Sequence, residues 1–235
     1  MEASNGLLAM WQQGDWLTRL VALTLLVMSV ASWVVMVVKA LDLTRLRQLG
    51  KRLTAFWESP DYDAGLKLLD DGKGFNPFHA LAVQSRQALN HVQDGSARGQ
   101  LHESLDIDEW VGRAIHNAID DGSARLQSGL AILASVGSTA PFVGLLGTVW
   151  GIYHALLKMG HTGQATMDQV AGPIGEALIM TAFGLAVAIP AVLGYNALVR
   201  GNKTVLQQLK RFARDVHALH ITGARVRRDQ PARRA

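Results

Sequence analysis

PIGEALIMTAFGLAVAIPAVLGYNALV, residues 173–199, is a long apolar segment that contains a single acidic residue, Glu176. An apolar run of this length can cross a bilayer as a helix. A carboxylate inside a membrane span is costly, so it usually faces protein or water and usually has a function. The segment therefore predicts a membrane helix built around one functional acid.

Two further apolar runs precede this segment, at residues 20–38 and 130–157. The first would span roughly 28 Å as a helix, which is close to the thickness of one hydrocarbon core. The second contains no Asp, Glu, Lys or Arg. Together the three runs predict three transmembrane helices.

The second run is rich in small residues, notably Gly144, Gly147 and Gly151. Small residues let helices approach closely in lipid, where no hydrophobic force draws them together. We therefore expect this run to pack tightly against a neighbouring helix. Pro141 is expected to bend or loosen the helix near Gly137, because proline lacks a backbone N–H.

Basic residues follow the first and third runs. They are Lys39, Arg45, Arg47, Lys51 and Arg52 after the first run, and Arg200, Lys203, Lys210 and Arg211 after the third. Cytoplasmic flanks of membrane spans are enriched in Lys and Arg. Both flanks are therefore expected in the cytoplasm, with the N-terminal head and the connection after the second run on the periplasmic side.

These signals predict an all-α membrane protein whose second and third spans extend into a helical cytoplasmic domain. The expected segments are a periplasmic head (1–16), a first transmembrane helix (17–39), a cytoplasmic helical domain (40–128), a second transmembrane helix (129–157), a periplasmic loop (158–171), a third transmembrane helix (172–199) and a cytoplasmic C-terminal helix and tail (200–235).

Composition narrows the classes of function. The 235 residues include no cysteine, so disulfides and Cys-ligated metals are excluded. His154 and His161 lie seven residues apart without clustered acids, which makes a poor metal site. No phosphate-binding loop or nucleophile–base motif occurs. The basic residues follow the membrane flanks and do not indicate nucleic-acid binding. We expect a protein that is not an enzyme and needs no cofactor or metal.

Two interpretations of Glu176 stay open at this point. The acid follows Pro173 closely and is expected in the first turn of its helix, where the helix dipole favours a charged carboxylate. Burial favours the neutral form, and this competition suits a group that takes up and releases protons. The alternative is an acidic residue at the membrane interface with a structural role only.

Thr148 and Thr181 are the other polar candidates within the spans. Thr181 lies five residues after Glu176, about 140° around the helix, so the two cannot share one narrow face. Thr181 could bond a neighbouring helix or line an adjacent part of a ring. The alternative for both threonines, which spacing alone favours, is a hydroxyl bonded to a carbonyl of its own helix.

Two blocks of sequence resemble the ExbB/TolQ/MotA family of proton-channel subunits. They are ASVGSTAPFVGLLGTVWGI (134–152) and AGPIGEALIMTAFGLAVAIPAVLGYN (171–196). The arrangement of three spans with a large first cytoplasmic loop is also similar to the family. The first block is more similar to the ExbB branch than to the TolQ branch.

The resemblance implies an inner-membrane homopentamer around a pore that holds two ExbD-type single-span helices. It implies that the proton gradient drives the complex and that TonB carries the work to outer-membrane receptors for iron–siderophores and vitamin B12. The family's functional acid corresponds to Glu176, its threonines to Thr148 and Thr181, and a basic position at the cytoplasmic flank to Arg200. A TolQ-like subunit of the Tol-Pal envelope motor, and a non-conducting scaffold for ExbD and TonB, are the alternatives.

Overall fold

The computed structural model describes residues 15–72, 74–93, 107–162 and 167–223. Its helices, in chain order, are α1 (Trp16–Glu58), α2 (Tyr62–Leu69), α3 (Pro77–Gln93), α4 (Ile107–Gln127), α5 (Leu130–Thr162) and α6 (Met167–Thr222). No strand occurs within these four ranges, which confirms the prediction of an all-α protein. Most of the predicted head and the tail after residue 223 lie outside the described residues.

Three helical stretches are long and apolar enough to cross a membrane, as the sequence predicts. They are Trp16–Glu58, Ile107–Leu157 and Ile174–Thr222. The helical extensions beyond the spans also agree with the prediction, and α1, which has 43 residues, likewise continues well beyond its apolar run. The basic residues that follow its apolar part are good helix formers and do not interrupt it.

The chain divides into two compact units. One unit, which we call the membrane unit, comprises Met1–Ala40 and Gly129–Val199. The other, which we call the cytoplasmic unit after the location that the sequence predicts for it, comprises Leu41–Ser128 and Arg200–Ala235. In the membrane unit, large apolar side chains of α1 such as Leu26, Val30 and Val34 are exposed. Outward-facing apolar side chains of this kind suit contact with lipid or with other membrane helices.

Three phenylalanines form the centre of the cytoplasmic unit. Phe56, Phe78 and Phe212 are at most 3% exposed. The ring centroid of Phe212 lies 5.2 Å from that of Phe56 and 6.2 Å from that of Phe78, both in edge-to-face geometry. Such pairs stabilise a core beyond the burial of their area, so this cluster joins α1, α3 and α6.

Polar side chains fix the helix ends in the cytoplasmic unit. Asp61 Oδ1 accepts a hydrogen bond of 2.6 Å from the Ala64 N–H at the start of α2. Asn76 Oδ1 accepts from the Phe78 N–H at 3.0 Å, while its Nδ2 donates to the Leu69 carbonyl at 2.7 Å. These bonds satisfy backbone groups that have no partner within their own helices.

A turn at Gly129 separates α4 from α5. Gly129 has φ +80°, a conformation that glycine adopts without a steric cost. The Leu126 carbonyl, near the end of α4, accepts a 2.7 Å hydrogen bond from Asn202 Nδ2 of α6. Asn202 thereby satisfies a carbonyl that the end of α4 leaves without a helical partner.

Candidate functional site

The second and third spans make close backbone contact through glycines. A Cβ at Gly144 would lie 2.7 Å from the Met180 carbonyl oxygen and 3.1 Å from Gly184 Cα. A Cβ at Gly184 would lie 2.6 Å from the Ala140 carbonyl oxygen. Because backbone atoms cannot move aside as a flexible side chain can, α5 and α6 can pack this closely only with glycine at these positions.

Two further glycines extend this contact along α5. A Cβ at Gly151 would lie 2.8 Å from Ala177 Cβ. A Cβ at Gly147 would lie 3.1 Å from Met180 Cβ and 3.1 Å from Val21 Cγ1 of α1. Gly147 therefore marks the level at which all three spans meet. Pro141 lies within α5, which runs unbroken from Leu130 to Thr162.

The same contact brings the two candidate threonines together. Thr148 is 5% exposed, and its hydroxyl donates to the Leu145 carbonyl at 2.7 Å. Thr181 Oγ1 lies 3.5 Å from Thr148 Oγ1, a separation at the outer limit of hydrogen bonding. The Thr148 hydroxyl thus bonds its own helix, as one alternative proposed, while Thr181 faces the neighbouring helix.

Glu176 lies beside this contact and not within it. Ala177, which faces Gly151, is 4% exposed. Consecutive residues are about 100° apart around a helix, so Glu176 points to one side of the face that packs on α5. Its side chain is half-buried and makes no hydrogen bond or ion pair with another described residue.

The expectation that Glu176 lies in the first turn of its helix is wrong. α6 begins at Met167, before Pro173, so Glu176 lies well inside the helix. The effect of the helix dipole falls off within the first turn, and it therefore contributes little at this position. Residues 167–171 contain no proline or glycine to prevent an earlier start, and membrane helices tolerate proline. α5 likewise continues to Thr162, past the end of the second apolar run at residue 157.

The C-terminal part of α5 makes polar contacts that the sequence did not indicate. His154 Nε2 lies 3.4 Å from Asp15 Oδ2, and His154 Nδ1 lies 3.3 Å from the Trp150 carbonyl oxygen. The rings of Trp150 and His154 are 4.4 Å apart. The contact with Asp15, the residue before α1, links the start of α1 to α5. His161 lies among residues whose side chains the structure does not describe.

Arg200 is not part of this site. It is exposed and is the first residue of the second segment of the cytoplasmic unit. Its place directly after the third apolar run remains consistent with a cytoplasmic flank.

A second polar cluster lies inside the cytoplasmic unit. Ser85 is fully buried, and its Oγ lies 3.3 Å from both Tyr62 Oη and His220 Nε2. The Arg86 guanidinium lies 5.3 Å from the centre of the Tyr62 ring and is paired with Asp63 at 2.8 Å. Sequence patterns could not reveal this cluster, because Ser85 and His220 are 135 residues apart.

The cluster disfavours a charged His220. Burial lowers the pKa of His220 below its ordinary value of 6.5, and the nearby Arg86 and His217 lower it further. The unfolded chain therefore binds a proton at this histidine at a higher pH than the folded chain does. Folding stability from this group is complete above about pH 6.5 and decreases as the pH falls below that value.

We predict that acidification loosens the last turn of α6. Amide hydrogen exchange near His220, corrected for the intrinsic pH dependence, should be faster at pH 5.5 than at pH 7.5. His220→Gln should remove most of this difference, whereas His116→Gln should not, because His116 is exposed on α4. Equal pH dependence in wild type and His220→Gln would contradict the prediction.

The fold and these contacts define a multi-pass membrane protein with a polar site between its second and third spans. Residues 83–211 match the MotA/TolQ/ExbB proton channel family. This match covers more than half of the chain, and the chain belongs to this family. It is accordingly a transport subunit of the inner membrane.

Relatives of the chain resemble it over most of its length. It is 48% identical to the biopolymer transport protein ExbB of Xanthomonas campestris pv. campestris over 210 residues, which cover 88% of this chain and 83% of the relative. It is 37% identical to ExbB of Neisseria meningitidis over 88% of this chain and 93% of the relative. It is 36% identical to the Tol-Pal system protein TolQ of Pseudomonas aeruginosa over 86% of each protein.

Proposed function

We propose that this protein is the ExbB-type subunit of a TonB–ExbB–ExbD complex. It uses the proton gradient to energise TonB-dependent uptake of iron–siderophores and vitamin B12 across the outer membrane. The observation that carries the proposal is the half-buried carboxylate of Glu176, which lies in an apolar span beside the Thr148–Thr181 contact. Family membership and the ExbB relatives support it.

In this proposal Glu176 exchanges protons with the intramembrane acid of an ExbD-type subunit. Thr148 and Thr181 offer hydroxyls next to the path, and the glycine contacts of α5 and α6 hold them in place. Moving one charge through 100 mV is worth about 2.3 kcal/mol. One proton therefore supplies enough free energy for a small helix rearrangement, and several protons supply enough for a larger movement.

The assembly we propose is a homopentamer around a pore that contains two ExbD-type helices. The N-terminus is periplasmic and the C-terminus cytoplasmic, in line with the basic flanks after the first and third spans. Exposed apolar residues on the spans, such as Leu145, Phe183 and Ile189, leave surface for contacts with further copies, with the partner helices and with lipid.

A TolQ-like role in the Tol-Pal system is the second candidate, because the chain is also 36% identical to a TolQ protein. Complementation separates the two roles. In a host that lacks its own ExbB and TolQ, we expect the chain, supplied with its own partner subunits, to restore growth on siderophore-bound iron but not resistance to detergent. Restored detergent resistance without growth on siderophore iron would instead assign the chain to the Tol-Pal system.

We predict that Thr181→Val reduces uptake with little effect on stability. Valine has nearly the shape of threonine but removes the hydroxyl that lies 3.5 Å from Thr148 Oγ1. Interhelical hydrogen bonds in membranes contribute about 0.6 kcal/mol on average, so the thermal midpoint in detergent should hardly change. Thr181→Ser, which keeps a hydroxyl, is the matched control. If Thr181→Val took up radiolabelled siderophore iron at the wild-type rate, the Thr181 hydroxyl would not belong to the proposed proton path.

A further inference from the structure

A row of basic residues follows one face of α6 in the cytoplasmic unit. Lys203, Lys210 and Arg214 recur at intervals of seven and four residues, so they lie near one another around the helix. Arg211 lies beside them. All four side chains are exposed. Like charges three and four residues apart repel each other slightly, so an anion bound along this face would relieve that repulsion.

The row borders a groove of about 670 Å³ between α4 and α6. Ile115, Ile119 and Ala213 form the apolar part of its lining, and Ile119 is the most accessible of the three because it is only half-buried. Three cations line the α6 side of the groove: Lys210, Arg211 and Arg214. Apolar lining with a cationic rim suits a peptide that carries acidic and apolar side chains better than it suits a small inorganic anion.

The charge of the groove is mainly positive. Within the part of the chain that the structure describes, Lys210, Arg211 and Arg214 form no ion pair. The groove's one carboxylate, Asp120, lies 3.6 Å from His116, and His217 is paired with Asp108 at 3.3 Å. The groove therefore presents an excess of positive charge.

Lipid headgroups do not account for this excess. Lys210 and Arg214 lie about 15 Å and about 21 Å along α6 from Arg200, which is the expected membrane flank. Electrostatic attraction to a membrane surface falls off over about 8 Å at physiological salt. Arg200 and Lys203 are near enough to meet headgroups, whereas an anion that binds the groove cations would come from elsewhere than the membrane surface.

We propose that this groove binds an acidic segment at the cytoplasmic end of the single-span partner subunit, an inference that rests on the proposed function. The partner helix is proposed to lie against α5 and the N-terminal half of α6. The groove is formed by the continuation of α6 and by α4, which Gly129 joins to α5. The acidic segment holds the partner to the chain on the cytoplasmic side.

The absence of cysteine from the sequence makes a direct test possible. Gln207 is exposed at the groove, so Gln207→Cys places a unique thiol there. The variant would be purified together with partner subunits that carry single cysteines at successive cytoplasmic positions, and then oxidised. We expect a disulfide with a few neighbouring positions of the partner's acidic segment. Thr54→Cys, on an exposed part of α1, should give none.

Charge reversal tests the chemistry of the contact. Lys210→Glu/Arg214→Glu should lower the yield of this disulfide about tenfold, which corresponds to about 1.4 kcal/mol. Lys210→Gln/Arg214→Gln should lower it less. Lys51→Glu/Arg52→Glu changes two exposed cations of α1 and should leave it unchanged. Circular dichroism checks that each variant is folded.

Three outcomes would overturn the proposal: a disulfide between two copies of this chain through residue 207, no adduct in a complex that co-purifies, or failure of any single-span partner to co-purify. The last outcome would also overturn the proposed function. A failure of the proposed motor function alone can be distinguished from a failure of this proposal. The disulfide does not depend on uptake, so it should form equally in the Glu176→Gln variant.

Discussion

Glu176→Gln is expected to abolish energised uptake while leaving the protein folded and assembled. Glutamine keeps the shape of glutamate but cannot release or accept a proton at this position. The carboxylate makes no hydrogen bond or ion pair with another described residue, so its replacement breaks no contact that the structure shows. Removing a side chain that transfers protons typically costs a hundredfold or more in rate. We expect a loss of at least roughly this size.

Growth on siderophore-bound iron measures this effect, in a host without its own ExbB and TolQ and at matched protein levels. Glu58→Gln is the control, because Glu58 is an exposed acid at the end of α1. It should grow like wild type. Growth of Glu176→Gln at the wild-type rate would favour the scaffold alternative, in which the acid has only a structural role.

Gly144→Leu is expected to separate the second and third spans. Even the first carbon of a side chain at this position would lie 2.7 Å from the Met180 carbonyl oxygen and 3.1 Å from Gly184 Cα. Neither backbone can give way without moving α5 and α6 apart, and this would also separate Thr148 from Thr181. Overpacking typically costs about 1 to 3 kcal/mol. The thermal midpoint in detergent should fall, and uptake should be lost with it.

Gly172→Ala is the matched control for this prediction. Gly172 also lies in α6, but no atom is within 4 Å of the position that its Cβ would take. Its thermal midpoint should therefore stay close to that of wild type. If Gly144→Leu were as stable as Gly172→Ala, the close contact between the two spans would not be required.

The three spans could be predicted from the sequence because hydropathy and helix length are local properties. The extent of each helix was less predictable. α6 begins at Met167, ahead of Pro173, whereas its continuation to Thr222 and that of α1 to Glu58 agree with the helical character expected of the segments that follow the spans. Sequence patterns mark where a span becomes polar more clearly than where its helix ends.

The candidate site was predictable in its residue types but not in its geometry. Gly144, Gly147 and Gly151 indicated close packing, but the register between α5 and α6 is a tertiary property. That register sets Thr181 3.5 Å from Thr148 and turns Glu176 to the side of the contact. Spacing along one helix could show only that Glu176 and Thr181 do not share a narrow face.

Contacts between distant segments were not predictable at all. Asp15 meets His154, and Ser85 meets Tyr62 and His220, across separations that no helical period connects. A buried serine or a lone histidine has no sequence signature of its own. Only the packing of the helices shows that these residues form clusters.

Proton movement through the reconstituted complex tests the central claim most directly. The chain and its single-span partner would be reconstituted in vesicles that contain a pH-sensitive dye, and a proton gradient would then be applied. We predict proton influx with wild-type protein and influx at the level of empty vesicles with Glu176→Gln. Equal influx in the two would show that protons do not pass by way of Glu176 and would contradict this account.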